Sequence, residues 1–164
     1  MRPETIQVLK DALSRADDVV SLGPASPENI QRAKEAGFPQ ELIEFYADHE
    51  PDPHKHCAEL EQRIWCVASA LQENADAVPG IGVFPHGYVV FASTTSGHAY
   101  CIDTNVSAPD GRHPIVLFPR DSIDEYTELP YIEASRVEVA SSLDNFLLKF
   151  AAGTLVERPH YPER

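Results

Sequence analysis

Residues 26–46 predict two consecutive short helices whose ends are marked by the sequence itself. Ser26 is a preferred helix cap, and Pro27 follows at the first helical position, where its missing N–H costs no hydrogen bond. Gly37 suits the left-handed conformation in which many helices end. Pro39 then restarts the chain as a second helix. Because each helix has an apolar side, the fold must supply another layer on which both can pack.

Further helices are predicted near both ends of the chain and in its middle. Residues 4–18 carry apolar side chains at three- and four-residue steps, which is the period of a helix with one buried side. A last helix is capped by Ser141 or Ser142 and closes at Gly153. A short helix is also expected over residues 69–77.

The middle of the chain predicts a β meander. Four segments are rich in β-branched and aromatic residues or alternate in hydrophobicity, namely residues 88–92, 98–103, 114–118 and 136–140. Gly97 supplies the positive φ that the first turn needs, and the last of the four segments is expected at or near a sheet edge. Residues 63–67 predict a further short strand. Residues 21–24 predict a loop, and the two prolines within residues 49–56 forbid regular structure there.

The order of these elements predicts an α+β fold. N-terminal helices precede a central, mostly antiparallel sheet, and the C-terminal helix is expected to pack on one face of that sheet. A length of 164 residues suits one hydrophobic core. We therefore expect a single domain over residues 1–156 and an irregular tail over residues 157–164, where two prolines occur.

The charge balance restricts the partners of the chain. Asp and Glu number 26 against 13 Lys and Arg, which gives a formal net charge of −13. Nucleic acids and anionic membranes attract basic surfaces, so neither is an expected partner. The acidity favours a basic protein partner, and solubility alone is the simpler explanation.

Three features together predict a cytoplasmic protein. The sequence contains no apolar stretch long enough to span a membrane. Residues 1–4 turn polar at once, so no secretory signal is expected. The three cysteines are an odd number without close spacing, which favours reduced thiols over a disulfide framework.

The densest set of metal-ligating and nucleophilic side chains is His49, His54, His56 and Cys57, and the last three lie within four consecutive residues. Their atoms match the donors of a zinc site, and a cysteine beside histidines is also found in nucleophilic hydrolases. Structural zinc spacings are more regular and include a second pair of ligands, so a flexible polar loop is the favoured interpretation. We therefore predict no catalytic residue, no metal and no cofactor.

Two positions in the predicted strands have structural interpretations. Cys101 lies three residues from His98, and an odd spacing on one strand places the two side chains on opposite faces. Cys101 is therefore expected in the core. Asp103 ends its strand and is expected to form a turn with Thr104 and Asn105.

Three blocks of the sequence resemble one known family. Residues 37–46 contain the junction and second helix of the pair, residues 91–103 a glycine-centred hairpin that ends in Ile102-Asp103, and residues 139–147 the start of the closing helix. Their type and order are similar to those of the SUKH superfamily, which contains fungal cell-wall synthesis regulators and bacterial immunity proteins of polymorphic toxin systems. The resemblance implies a SUKH-type α+β fold and a non-enzymatic protein that binds a protein partner.

Acidic residues cluster in a first acidic segment, Glu41–Glu61, and a second acidic segment, Asp121–Glu128. Each is either a solvated surface or a negative face that steers a basic partner. Aromatic residues anchor many interfaces, so tyrosines within the segments, and Tyr131 beside the second, are candidate anchors. The candidate partner-binding residues are Tyr46, Asp48, Glu50, Asp52, Asp121, Asp124, Glu125 and Tyr126.

The leading functional hypothesis is an immunity-type protein that neutralises a cognate toxin domain by occluding it. A basic toxin domain is the expected partner. Two alternatives stay open. One is a cysteine- or metal-dependent hydrolase that uses His54, His56 and Cys57. The other is a housekeeping regulatory module of the cell-wall synthesis regulator type.

Overall fold

The structure is a computed structural model that describes residues 1–16 and 20–164. The described helices are α1 (Pro3–Ser14), α2 (Pro27–Ala36), α3 (Gln40–His49), α4 (Val67–Asp76), α5 (Gly80–Val83), α6 (Leu129–Ser135) and α7 (Leu143–Ala152). The described strands are β1 (Leu22–Gly23), β2 (Glu50–Pro51), β3 (Cys57–Glu59), β4 (Arg63–Trp65), β5 (Tyr88–Ser93), β6 (Ala99–Asp103), β7 (Ile115–Phe118) and β8 (Val137–Ala140). A 3₁₀ turn, Phe84–His86, joins α5 to β5.

The helix pair predicted from residues 26–46 is confirmed. Ser26 caps α2, because its Oγ accepts a hydrogen bond from the Asn29 N–H at 3.1 Å. Gly37 ends that helix with a φ of 88°, in the left-handed region that favours glycine. The second helix, α3, begins one residue after Pro39. The cap and the left-handed residue thus determine where the first helix begins and ends.

The six-stranded sheet is antiparallel throughout, with the strand order β3-β4-β5-β6-β7-β8. Strands that follow one another in sequence are neighbours, which confirms the predicted meander. Gly97 adopts a φ of 88° in the turn between β5 and β6, as predicted. The outer strands are β3 and β8, so the edge position predicted for residues 136–140 is also confirmed.

Two segments that were expected to be irregular pair with each other. Leu22 of β1 pairs with Pro51 of β2, and Gly23 pairs with Glu50. This small sheet joins the chain before α2 to the chain after α3. The prediction of irregular structure was wrong at these residues, because a two-residue strand has no detectable periodicity and its partner lies far along the chain.

Other elements differ from the prediction at their boundaries or have no counterpart in it. Helix α1 ends at Ser14 instead of near Asp18, and residues 17–19 lie outside the described part of the chain. The short elements β3 and α6 have no counterpart in the prediction. Residues 153–164, all of which the structure describes, contain no helix or strand. Among the described residues, every helix is too short or too polar to traverse a bilayer.

Side chains are buried on both faces of the six-stranded sheet. One face packs on α1, α2, α3 and α7, where the rings of Phe91 and Phe146 have centroids 4.8 Å apart. This contact confirms that the C-terminal helix packs on the sheet. The other face packs on α5 and α6, and it buries Cys101, Phe118 and Ile123. Burial on both faces explains why β5, β6 and β7 are apolar except for the polar residues Ser93 and Asp103 at the ends of β5 and β6.

A side chain takes the place of a neighbouring strand along half of β5. Within the described residues, β4 pairs with β5 only at Ala92 and Ser93. Beyond that point Asn74 of α4 lies beside β5, and its Oδ1 accepts a hydrogen bond from the Val90 N–H at 2.8 Å. Its Nδ2 donates to the Val90 carbonyl oxygen at 2.9 Å. The buried amide therefore satisfies a backbone donor and acceptor that strand pairing leaves free.

Candidate functional site

The two acidic segments are anchored on opposite faces of the sheet. Phe45 and Tyr46 of the first acidic segment belong to the core on the α7 side of the sheet. Ile123 of the second acidic segment belongs to the core on the other side, with Cys101 and Phe118. The candidate partner-binding residues therefore fall into two separate groups, and each group must be considered alone.

Tyr46 lies in the hydrophobic core and not on the surface. Its side chain is fully buried, and its hydroxyl donates a hydrogen bond to the carbonyl oxygen of Trp65 at 2.9 Å. Burial raises the pKa of the phenol well above its ordinary value. The expectation that Tyr46 contacts a partner is corrected, because the apolar stripe of α3 turns this ring inward.

Glu50 is also buried, with 3% of its surface exposed. Its Oε2 accepts a hydrogen bond at 2.9 Å from the backbone N–H of Val67, the first residue of α4. The cap residue of that helix, Cys66, supplies no side-chain cap, so the Glu50 carboxylate satisfies a free N–H at the positive end of the helix. Burial raises the pKa of this carboxyl group. Glu50 is therefore a structural cap, which corrects its expected role as a contact residue.

The other two acids proposed in the first acidic segment retain some exposure. Asp48 is exposed on the last turn of α3, and Asp52 is half-buried. The Asp52 Oδ1 accepts a hydrogen bond from the His54 N–H at 2.9 Å, which closes a local turn. Of the four candidates in this segment, only Asp48 and Asp52 present their charge to solvent.

The second acidic segment displays its aromatic residue. Tyr126 is 83% exposed, the largest exposure among the exposed large hydrophobic side chains. The loop beneath it is closed by Asp124, whose Oδ1 accepts hydrogen bonds from the Tyr126 N–H at 2.9 Å and from the Thr127 hydroxyl at 3.2 Å. The Thr127 Oγ1 in turn accepts from the Asp124 N–H at 2.9 Å. These three bonds give the loop a defined shape around an exposed ring.

The same loop is fixed from below by buried contacts. Ile123 is 2% exposed and packs among the side chains of the second core. Gly82 of α5 lies so close to the loop that a Cβ atom there would collide with the carbonyl oxygen of Asp124. A larger residue at position 82 would therefore displace the loop. The candidates Asp121, Asp124, Glu125 and Tyr126 are all exposed on this fixed segment.

The C-terminal tail crosses the second acidic segment. The Tyr161 hydroxyl donates a hydrogen bond to Asp121 Oδ1 at 2.8 Å, which lowers the pKa of Asp121. Arg164 donates to the Ser122 carbonyl oxygen at 2.8 Å, and its guanidinium lies 4.3 Å from the centroid of the Tyr131 ring. The sequence predicts none of these contacts, because a tail without periodicity gives no sign of where it docks.

Comparison with known protein families gives the family to which this chain belongs. The model of the SMI1/KNR4 family (SUKH-1) matches residues 24–149, which is more than half of the chain. The chain belongs to this family. Comparison with curated proteins gives no match. Membership of the SMI1/KNR4 family supports an interaction module in general and not an enzyme.

The cysteine and histidine cluster of this SMI1/KNR4 member has little of the geometry of a reactive site. His54 and His56 are exposed, and Cys57 is half-buried at the start of β3. Burial and the neighbouring Glu59 raise the pKa of the Cys57 thiol, whereas a nucleophilic cysteine needs a lowered pKa. Within residues 1–16 and 20–164, no three His, Cys, Asp or Glu side chains are grouped to hold a metal ion.

Two strand positions of the SMI1/KNR4 fold have the structural roles expected of them. Cys101 is fully buried, and burial raises the pKa of its thiol well above the ordinary value. Asp103 Oδ1 accepts a hydrogen bond from the Asn105 N–H at 3.0 Å, which is the predicted turn. Its Oδ2 also accepts a hydrogen bond from Arg136 Nε at 2.8 Å. The two residues are 33 positions apart, and the sequence does not predict this contact.

Proposed function

We propose that this chain is an immunity-type protein that neutralises a toxin domain by covering its basic active surface with the second acidic segment. The observation that carries the proposal is the exposure of Tyr126 on a loop that is already hydrogen-bonded and anchored. An exposed tyrosine on a pre-formed loop loses little conformational entropy on binding. Such residues are frequent hot spots of protein interfaces.

The charge around Tyr126 supports a basic partner. Asp121, Asp124, Glu125 and Glu128 are exposed around the ring, and the sequence of this loop contains no basic residue between Asp121 and Glu128. Arg164 of the tail docks beside this loop, so the patch is mainly and not wholly negative. A mainly negative patch accelerates the encounter with a basic surface and orients the two proteins. Binding at this loop is proposed to occlude the partner and not to transform it.

Asp48 and Asp52 take a lesser part in the proposal. They lie in the segment that is anchored on the opposite face of the sheet, so they are not proposed to contact the same partner surface as Tyr126. Their charges add to the overall negative field of the chain, which acts on the association rate and is weakened by salt.

The experiment is co-expression of this chain with a toxic domain encoded by an adjacent gene, followed by a binding measurement on the purified pair. The wild-type chain should restore growth, and Tyr126→Ala should weaken binding by at least about thirty-fold, since hot-spot truncations cost about 2 kcal/mol or more. Asp48→Arg is the matched control, and we expect it to change the association rate by only a few-fold.

Two outcomes would contradict the proposal. If no adjacent gene encodes a domain that this chain neutralises, the immunity role fails, and a regulatory interaction module of the cell-wall synthesis regulator type becomes the better account. If a toxin is neutralised but Tyr126→Ala binds it as well as Asp48→Arg does, the second acidic segment is not the contact surface. The hydrolase alternative is less well supported, because the pKa of Cys57 is raised.

A further inference from the structure

A polar cleft lies at the end of the sheet where β5 turns into β6. It has a volume of about 450 Å³ and is bounded by β4, the last turn of α4 and the β5–β6 turn. Its polar and aromatic lining includes Arg63, Trp65, Glu73, Ser93, Thr95 and Arg120. None of the candidate partner-binding residues lines this cleft, and the family match gives it no role.

Two residues that line the cleft each carry a buried nitrogen atom that makes no hydrogen bond. The indole Nε1 of Trp65 is buried and meets no acceptor among the residues that the structure describes. The Nε of Arg63 is also buried without a hydrogen bond, and it forms an ion pair with the Glu59 carboxylate at 3.5 Å. A buried donor without an acceptor destabilises the folded state. An acceptor supplied from outside the chain would remove that destabilisation.

The positive charge of the cleft is unusual in so acidic a chain. Arg63 and Arg120 both line it, whereas the chain as a whole carries a net charge of −13. Glu73 also lines the cleft, where burial raises the pKa of its carboxyl group and the nearby Arg120 opposes that shift. Arg63 lies against a different acid, Glu59. Each guanidinium group therefore has one carboxylate near it, and of those two acids Glu73 lines the cleft.

Arg120 is held at the cleft by the turn beside it. Gly97 adopts a φ of 88°, and a Cβ atom at that position would approach the Arg120 Cδ to 2.9 Å. The backbone N–H of Arg120 also donates a hydrogen bond to His98 Nδ1 at 3.1 Å. The glycine turn thus leaves the space in which the arginine side chain lies, and the hydrogen bond fixes the start of that side chain.

We propose that this cleft binds an oxyanion, either a phosphate or a carboxylate group, between Arg63 and Arg120. Guanidinium groups match both kinds of anion through paired N–H donors. The Trp65 indole N–H and the hydroxyls of Ser93 and Thr95 supply the remaining donors. The inference does not depend on the function proposed above, because none of its residues belongs to either candidate contact group.

The test uses the fact that Trp65 is the single tryptophan of the chain. The wild-type protein is titrated with inorganic phosphate and, separately, with succinate, while sodium chloride keeps the ionic strength constant. We expect a saturable change in Trp65 fluorescence with at least one of the two anions. Saturation by phosphate alone assigns a phosphate site, and saturation by succinate alone assigns a carboxylate site. A flat titration with both would overturn the proposal.

Variants separate a built site from general charge attraction. Arg120→Gln should weaken binding at least about ten-fold, which corresponds to about 1.4 kcal/mol. Arg120→Lys, which keeps the charge but loses the paired donors, should weaken it less. Arg158→Gln removes one exposed positive charge from the tail and should leave binding unchanged. Equal weakening by Arg158→Gln and Arg120→Gln would contradict the proposal. Calorimetry on Arg63→Gln gives a second measurement that does not depend on fluorescence.

Discussion

The first and second acidic segments look alike in sequence but use their acids differently. In the first, Glu50 is buried and caps α4, and Tyr46 lies in the core. In the second, Asp124 shapes a loop whose tyrosine is almost fully exposed. A cluster of like charges is therefore not in itself a surface. An acid turns inward where the fold leaves a free backbone N–H for it to satisfy, as at the start of α4.

Substitution of the tyrosines is expected to give the largest difference in stability between the two segments. Tyr46→Ala should lower the free energy of unfolding by about 3–5 kcal/mol, because it removes a buried ring and leaves a cavity. Tyr126→Ala should change it by less than about 0.5 kcal/mol, since the ring is exposed. Urea denaturation of both variants measures the difference. Equal destabilisation by the two substitutions would contradict the assignment of one tyrosine to the core and the other to the surface.

A smaller effect is expected from the matched glutamates. Glu50→Ala should destabilise the chain by about 1–3 kcal/mol, because the Val67 N–H loses its buried, charged acceptor. Glu125→Ala removes the same atoms from an exposed position and should stay within about 0.5 kcal/mol of the wild type. Thermal unfolding of the two variants, followed by circular dichroism, provides the comparison. If Glu50→Ala and Glu125→Ala have the same melting temperature, the Glu50 carboxylate does not stabilise the start of α4.

The smallest expected effect concerns how stability depends on pH. The contribution of Glu50 in the first segment and that of Asp121 in the second should change with pH in opposite directions. Burial raises the pKa of Glu50 in the folded chain, so its contribution to stability is present below its ordinary pKa of 4.5 and is lost as the pH rises through the raised value. The Tyr161 hydrogen bond lowers the pKa of Asp121, so its contribution is present above 3.8 and is lost as the pH falls through the lowered value.

The direction of each pH dependence can be measured against a variant in which the acid is replaced by its neutral amide. Relative to Glu50→Gln, the wild type should lose stability as the pH rises from about 4 to about 7. Relative to Asp121→Asn, the wild type should lose stability as the pH falls from about 5 to about 3. Melting temperatures across both ranges provide the measurement. Parallel slopes for the two variants would mean that the two carboxylates lie in similar environments.

The features that the sequence predicts well are those decided by neighbouring residues. Ser26 and Gly37 mark the two ends of a helix through contacts within one turn of the chain. Gly97 adopts the positive φ that its own turn requires. The alternation and apolar runs of the strands likewise require only local pattern. These signals were sufficient for the α+β class, the meander and the edge position of β8.

The features that the sequence does not predict depend on residues distant in the chain. Glu50 is buried because the first N–H of α4 lies next to it, 17 residues away in sequence. The contacts between Arg136 and Asp103 and between Tyr161 and Asp121 span 33 and 40 residues. Such polar pairs have no periodicity, so the separation of the candidate site into two groups emerged only from the packing.

The amide of Asn74 has a consequence for how this protein can associate with others. By occupying the Val90 N–H and carbonyl oxygen, it closes a stretch of strand edge on which another chain would otherwise add a strand. The outer strands of the described six-stranded sheet, β3 and β8, are the other edges on which a strand could add. One polar side chain on a helix thus limits the ways in which this sheet can grow, and with them the routes to aggregation.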